Sequence, residues 1–150
     1  MRLLFILLVV VCSHASAQTT YILVRHAEKE TAANVDPKDP PLSKEGQDRA
    51  QALVRLLEKQ KIDAIYSTNF SRTKNTVQPL ADSKGLQVTP YEKQPDVAAM
   101  KGIVVICGHS NTIPALANQL LGKEQFTNFA DSDYGNILII KDGTLIHLRY

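Results

Sequence analysis

Two short apolar runs constrain the fold of this chain most strongly. They are residues 21–24 (YILV) and residues 103–107 (IVVIC), and no charged side chain interrupts either of them. A strand with one face in water alternates apolar and polar residues, whereas a strand covered on both faces is apolar throughout. Both runs therefore predict inner strands of a mostly parallel sheet that has helices packed on its two faces.

Weaker patterns predict the rest of the sheet. Residues 64–66 (AIY) form another predicted strand, and residues 86–88 (LQV) form a weaker one. Near the end of the chain, residues 136–140 and 144–150 flank an Asp-Gly pair, which is typical of a tight turn. The chain is therefore predicted to end in a hairpin.

Three helices are predicted between these strands from apolar residues at helical spacing. The first follows Ser43, a favourable N-cap, and continues to about Lys59. The second covers residues 71–84, with a kink or break expected at Pro79, and the third starts near Asn111. This order of elements predicts an α/β fold, a three-layer sandwich with a mostly parallel central sheet and a C-terminal hairpin.

The first 17 residues have the layout of a secretory signal peptide. Arg2 gives a positive start, residues 3–11 are apolar, and the small residues 15–17 precede a polar segment. The apolar run is too short to span a bilayer as a mature helix. We therefore expect cleavage after Ala17 and an exported protein, either periplasmic or secreted.

Two alternatives for this segment are weighed against cleavage. A buried N-terminal strand or an uncleaved anchor would also account for the apolar run. Lipidation of Cys12 is disfavoured because the bulky Val11 stands before it, where a small residue is expected. The remaining residues, 18–150, suit a single domain.

The charge balance argues against a large basic surface. Lysine and arginine number 17 against 15 aspartate and glutamate residues, for a net charge of +2. The chain also lacks the basic runs and the interleaved basic and aromatic residues that are typical of nucleic-acid binding. We expect no nucleic-acid partner and no membrane association of the mature form. The oligomeric state stays open.

Three polar segments directly follow predicted strands. Arg25 and His26 come after the first strand, residues 67–72 after the second, and residues 108–111 (GHSN) open the third helix. In an open α/β sheet, functional sites lie just beyond the carboxyl ends of the strands. Two arginines and two histidines are therefore predicted to converge at one edge of the sheet.

Each of these features has an ordinary structural explanation when it is taken alone. His26 could simply satisfy a backbone carbonyl, Arg72 could be a solvated arginine, and residues 108–111 could be a turn with an N-cap. Together they point to phosphate chemistry. Arginine forks and helix N-termini bind phosphate oxygens, and a neutral imidazole nitrogen can attack phosphorus and carry the phosphoryl group.

Residues 23–28 (LVRHAE) resemble the signature of the histidine phosphatase superfamily, which includes phosphoglycerate mutases and short bacterial phosphohistidine phosphatases. The similarity extends over nearly all of residues 20–145, in the order of the family. The other matching segments are residues 41–46 (PLSKEG), 66–76 (YSTNFSRTKNT), 108–110 (GHS) and 133–136 (DYGN).

The resemblance implies a role for each site residue. His26 would be the phosphorylated nucleophile, and Arg25, Arg72 and His109 would form the phosphate pocket. Ser110 is expected to join the two arginines and His109 in binding the substrate.

Two departures narrow the resemblance. The large acid phosphatases of the superfamily have a glycine at the position of Ala27 and an aspartate at the position of Ser110, so that branch is disfavoured. The mutase-like branch takes its general acid from an insertion that is reduced here to residues 85–102. Glu92 and Asp96 are the nearest candidates for this acid, although both could be plain exposed carboxylates.

The expected function is an exported phosphatase that hydrolyses phosphomonoesters or phosphoramidates through phospho-His26. The short middle of the chain argues against a mutase, and the expected export favours a small phosphorylated substrate over a phosphoprotein. The alternatives are a phosphohistidine-protein phosphatase and an anion-binding module of the same fold that has lost turnover.

A metal site at His26, Glu28 and His109 is a further alternative. It is disfavoured because the two arginines would repel a cation, and Glu28 is instead expected to orient its own loop. We expect neither a metal ion nor a cofactor.

Overall fold

A computed structural model describes residues 18–150 of the chain. The predicted signal peptide, its cleavage site and Cys12 lie outside the described residues. Within residues 18–150, no helix is long and apolar enough to cross a membrane.

A single six-stranded sheet forms the centre of the fold, with the strand order β3-β2-β4-β1-β5-β6. The strands β1 to β4 run parallel, whereas β5 is antiparallel to β1 and β6 is antiparallel to β5. This confirms the predicted sheet and its C-terminal hairpin. The strands are β1 (Thr20–Arg25), β2 (Ala64–Thr68), β3 (Val88–Tyr91), β4 (Ile103–Gly108), β5 (Asn136–Lys141) and β6 (Thr144–Arg149).

Three helices cover the two faces of the sheet, as predicted for a three-layer sandwich. On one face, α1 (Lys44–Leu57) and α2 (Ser71–Lys84) pack over a core that includes Ile22 and Val24. On the other face, α3 (Thr112–Leu121) packs over a core that includes Leu23. Successive residues of β1 thus enter opposite cores, which explains why the whole run is apolar.

Some predicted boundaries differ from the structure. The helix α1 ends at Leu57 rather than near Lys59. The helix α2 continues through Pro79 without a break. The amide that this proline lacks would bond the carbonyl four residues earlier, which belongs to the exposed Asn75 and can bond water instead.

The strand expected at residues 86–88 begins only at Val88 and continues to Tyr91. Gly85 ends α2 in the left-handed conformation, with φ 65°. The backbone N–H of Leu86 then donates to the Ala81 carbonyl at 2.9 Å, so Leu86 closes the helix instead of opening the strand.

The start of α1 lies directly against the loop after β1. The backbone N–H of Ser43 donates to the Glu28 carbonyl at 2.9 Å, and Ser43 also caps the helix through its side chain, as predicted. A Cβ atom at Gly46 would lie 2.1 Å from the same carbonyl oxygen. Only glycine permits this close approach, which fixes the loop that carries His26.

The Gly46→Ala substitution tests this contact. Alanine is normally the better helix former by about 1 kcal/mol, but here its Cβ would displace backbone, and we expect a net loss of about 1–3 kcal/mol in the free energy of unfolding. Denaturant titration measures this loss. The neighbouring exposed Gln47→Ala is the control, with an expected change within about 0.5 kcal/mol. Equal stability of the two variants would contradict the proposed contact.

Candidate active site

The predicted site residues meet where β1, β2 and β4 end. Because these strands are parallel neighbours, His26 after β1 and His109 after β4 lie side by side, with ring centroids 5.5 Å apart. Both line an open cavity of about 350 Å³. The lining residues are Arg25, His26, Lys29, Phe70, Arg72, His109, Ser110, Asn111 and Asp131.

The cavity contains the expected histidines, arginines and Ser110, but neither of the expected acids. Glu92 and Asp96 are exposed and are absent from its lining among residues 18–150. A larger groove of about 710 Å³ lies between α1 and α2, and no histidine, cysteine or arginine lines it. The chemistry-bearing side chains are therefore concentrated in the smaller cavity.

His26 is held in one orientation by backbone atoms. Its Nδ1 lies 2.8 Å from the Ala27 carbonyl oxygen. Because a carbonyl only accepts, Nδ1 carries the proton in this bond, and the lone pair of the neutral ring is left on Nε2. The backbone N–H of His26 donates to the Gly108 carbonyl, and that of Ala27 donates to the Thr76 hydroxyl, both at 2.9 Å.

Burial keeps the imidazole of His26 uncharged. It lowers the pKa of His26 from 6.5 to about 4, and the positive charges of Arg25 and Arg72 act in the same direction. The hydrogen bond to Ala27 opposes this change. Loss of solvent is therefore the larger cause of the neutral ring, and the arginines reinforce it.

Arg25 binds a loop as well as facing the cavity. Its Nη1 donates to the carbonyls of Ala130 at 2.6 Å and Asp133 at 3.0 Å, and its Nη2 donates to the Asp131 carbonyl at 3.0 Å. The guanidinium also lies 4.2 Å above the ring of Tyr134. Its buried Nε makes no hydrogen bond within residues 18–150.

Arg72 lies in the first turn of α2, where the helix dipole disfavours a cation. The negative charge of Asp39, in the loop before α1, offsets this unfavourable interaction. Its carboxylate accepts from the backbone N–H and the hydroxyl of Ser71, both at 2.8 Å, and lies 3.6 Å from Arg72. The ring of Phe70 stacks on the guanidinium at 4.4 Å. The sequence patterns did not predict that Asp39 caps α2.

A row of hydroxyl groups holds His109. Its Nε2 lies 3.0 Å from Thr68 Oγ1, which lies 2.9 Å from Thr73 Oγ1, and the Thr73 hydroxyl reaches the Phe70 and Thr68 carbonyls at 2.9 Å. The hydroxyl proton of Thr73 goes to a carbonyl, so Thr73 accepts from the hydroxyl of Thr68. Thr68 in turn accepts from the Nε2–H group of His109. Burial, with Arg72 and Arg25, lowers the pKa of His109 to about 4.

Glu28 turns away from the cavity. Arg49 Nε donates to its two carboxylate oxygens at 2.9 and 2.8 Å, which confirms that Glu28 holds neighbouring structure. This pairing occupies the carboxylate that the metal alternative required. Within residues 18–150, no group of three or more histidine, cysteine, aspartate or glutamate side chains could hold a metal ion.

Asp131, like Lys29, is a lining residue that was not among the candidate residues from the sequence. It precedes β5, and the pairing of Val24 with Ile137 places the start of β5 beside the end of β1. The sequence predicted the hairpin that begins with β5. The position of Asp131 could have been predicted from it only if β5 had also been expected to pair antiparallel with β1.

Comparison with known proteins identifies the family of this chain. The sequence model of the histidine phosphatase superfamily (branch 1) matches residues 21–99. The chain belongs to this superfamily. The resemblance inferred from residues 23–28 is therefore confirmed.

Solved structures share the histidine phosphatase fold. The candidate phosphohistidine phosphatase SixA from Agrobacterium tumefaciens is 20% identical with a TM-score of 0.70, over 88% of this chain and 98% of that protein. YhfR from Bacillus stearothermophilus is 15% identical with a TM-score of 0.64, over 87% of this chain and 96% of that protein. At these identities the likeness shows the fold.

A curated relative is the phosphoserine phosphatase 1 of Hydrogenobacter thermophilus. It is 39% identical over 75 residues, which make up 48% of this chain and 36% of that protein. The chain thus matches about a third of the length of this relative.

Titration of the two site histidines tests the effect of burial. We expect His26 and His109 to lose their protons with midpoints near pH 4 rather than 6.5 in an NMR titration. Between these values the unfolded chain binds more protons than the folded chain. The free energy of unfolding should therefore fall as the pH is lowered from 6.5 to 4.

The His26→Gln variant is the control for this titration, because it lacks one of the two groups and should lose less stability over the same pH range. A midpoint at the ordinary value for His26 would contradict the assigned burial.

Proposed function

We propose that this protein is a phosphoric monoester hydrolase that forms a covalent phosphohistidine on His26. The observation that carries the proposal is the state of the His26 ring, whose Nδ1 proton is committed to the Ala27 carbonyl. The lone pair on Nε2 is therefore available in a cavity that also contains two arginines. An uncharged nitrogen nucleophile beside cationic phosphate ligands is suited to phosphoryl transfer.

In the first step, Nε2 of His26 attacks phosphorus as the bond from phosphorus to the leaving-group oxygen breaks. The leaving group departs with a proton, and the positive charge that develops on the imidazole is stabilised by the Ala27 carbonyl. In the second step, water attacks phosphorus, the bond from phosphorus to Nε2 breaks, and phosphate and neutral His26 are regenerated.

The phosphate oxygens would be bound by donors around His26. The guanidinium groups of Arg25 and Arg72 and the ring of His109 lie around His26 in the cavity, and Ser110 precedes α3. The N–H of the neutral His109 ring is already bonded to Thr68, so the two arginines are the main donors. Such donors stabilise the charge on the transferring group, and the first turn of a helix favours an anion. Asp39 and Phe70 hold Arg72 in place for this contact.

We propose small phosphomonoesters or phosphoramidates as the substrate class. The matched proteins include a phosphoserine phosphatase and a candidate phosphohistidine phosphatase. Phosphoserine is a phosphomonoester and phosphohistidine is a phosphoramidate, so these names cover both types of substrate. The volume of about 350 Å³ accommodates a phosphate with a small leaving group. A phosphohistidine-bearing protein is the competing substrate for the same open cavity.

We also propose that residues 1–17 direct export and are removed after Ala17, on the basis of their charge and apolar pattern. Expression of the full chain in a bacterial host, cell fractionation and N-terminal sequencing test this. Recovery of the intact N-terminus in the cytoplasm would contradict it.

Turnover of an aryl phosphate by the purified protein tests the mechanism. The wild-type chain should release phosphate and acquire an acid-labile phosphoryl group, whereas His26→Ala should do neither. Arg72→Ala should lower kcat by about 10²–10³, as is usual when one electrostatic donor is lost. The exposed Arg55→Ala is the matched control and should keep wild-type turnover.

Two results of this assay would be decisive against the mechanism. Unchanged turnover by His26→Ala would exclude His26 as nucleophile. Phosphate binding by the wild-type chain without turnover or labelling would instead support an anion-binding module.

A further inference from the structure

Asp131 has a fixed position at the edge of the cavity. Its backbone carbonyl is bound by Arg25 at 3.0 Å, and the same guanidinium binds the carbonyls on both sides of it. The loop is also joined to the His109 side of the site, because the backbone N–H of Phe129 donates to the Ser110 carbonyl at 2.9 Å. Asp131 therefore lies on a loop that two parts of the site hold in place.

The carboxylate of Asp131 is free, unlike the other carboxylates around the site. Glu28 is bound by Arg49, Asp39 is bound by Ser71, and Asp133 pairs with Arg149. Within residues 18–150, the side chain of Asp131 is exposed and makes no hydrogen bond or ion pair, and Asp131 is the one acidic residue that lines the cavity. It is thus available to a bound molecule.

The mechanism requires a group that gives a proton to the leaving oxygen. In the proposed mechanism Arg25 and Arg72 bind the phosphate oxygens, and Lys29 is a cation suited to the same role. His109 is an uncharged ring whose Nε2 is bonded to Thr68. A carboxyl group at the rim of the cavity is the remaining acid.

We propose that Asp131 is the general acid and base of the hydrolysis, an inference that rests on the proposed function. Its carboxyl proton moves to the leaving-group oxygen as Nε2 of His26 bonds to phosphorus. The resulting carboxylate then accepts a proton from the water that attacks phospho-His26, so Asp131 is protonated again when phosphate is released.

Leaving groups of different basicity test this role. Phenyl phosphate requires a proton on its leaving oxygen, whereas 2,4-dinitrophenyl phosphate releases a stable anion without one. We expect Asp131→Asn to lower kcat/KM for phenyl phosphate by about 10²–10⁴, the usual contribution of general acid catalysis, and to change turnover of the dinitrophenyl ester little. The Asp131→Glu variant, which keeps the carboxyl group, should recover part of the lost rate.

Asp96→Asn and Glu92→Gln are matched controls, because they make the same kinds of change outside the cavity. Both should retain wild-type rates on the two esters. An equal loss on both esters in Asp131→Asn, or no loss on either, would overturn the assignment. So would a loss confined to phenyl phosphate in one of the controls.

Failure of the proposed function has a different signature. In that case the wild-type chain neither hydrolyses the dinitrophenyl ester nor acquires an acid-labile phosphoryl group, and this result overturns both proposals. If the wild-type chain does label and hydrolyse that ester, the Asp131 variants alone decide the second proposal.

Discussion

The guanidinium of Arg25 joins the end of β1 to the loop before β5. Burying a cation is costly unless its donors are bonded, and here three backbone carbonyls and the face of Tyr134 replace the lost water. The partners lie more than 100 residues away in sequence. One side chain therefore holds the loop before β5 and places Asp131 at the cavity that contains His26.

The same loss of solvent sets the chemistry of the histidines. A ring that is only 5% exposed, as in His26, favours the uncharged form, and nearby arginines reinforce this preference. The site thus combines an uncharged imidazole with two arginine cations, as the proposed phosphoryl transfer requires. In water the imidazole would be partly protonated near neutral pH, and less of it would carry the lone pair needed for attack.

Local patterns predicted the sheet, the three helices and the convergence of Arg25, His26, Arg72 and His109, because strand ends and helix starts follow from neighbouring residues. What they could not predict depends on contacts across the fold. The cap that Asp39 gives to α2 spans 32 residues, and the position of Asp131 requires the pairing of β5 with β1. Neither relation leaves a periodic signal in the sequence.

Because Asp39 caps α2, the loop that carries Asp39 must be ordered for Arg72 to keep its position in the cavity. The residue at the N-cap position, Phe70, has no side-chain hydrogen bond to the helix, so the first turn of α2 depends on a carboxylate from outside the helix. Ordering of the segment before α1 therefore contributes to the orientation of Arg72. A proteolytic cut beside Asp39 would release this support while leaving every residue that lines the cavity intact.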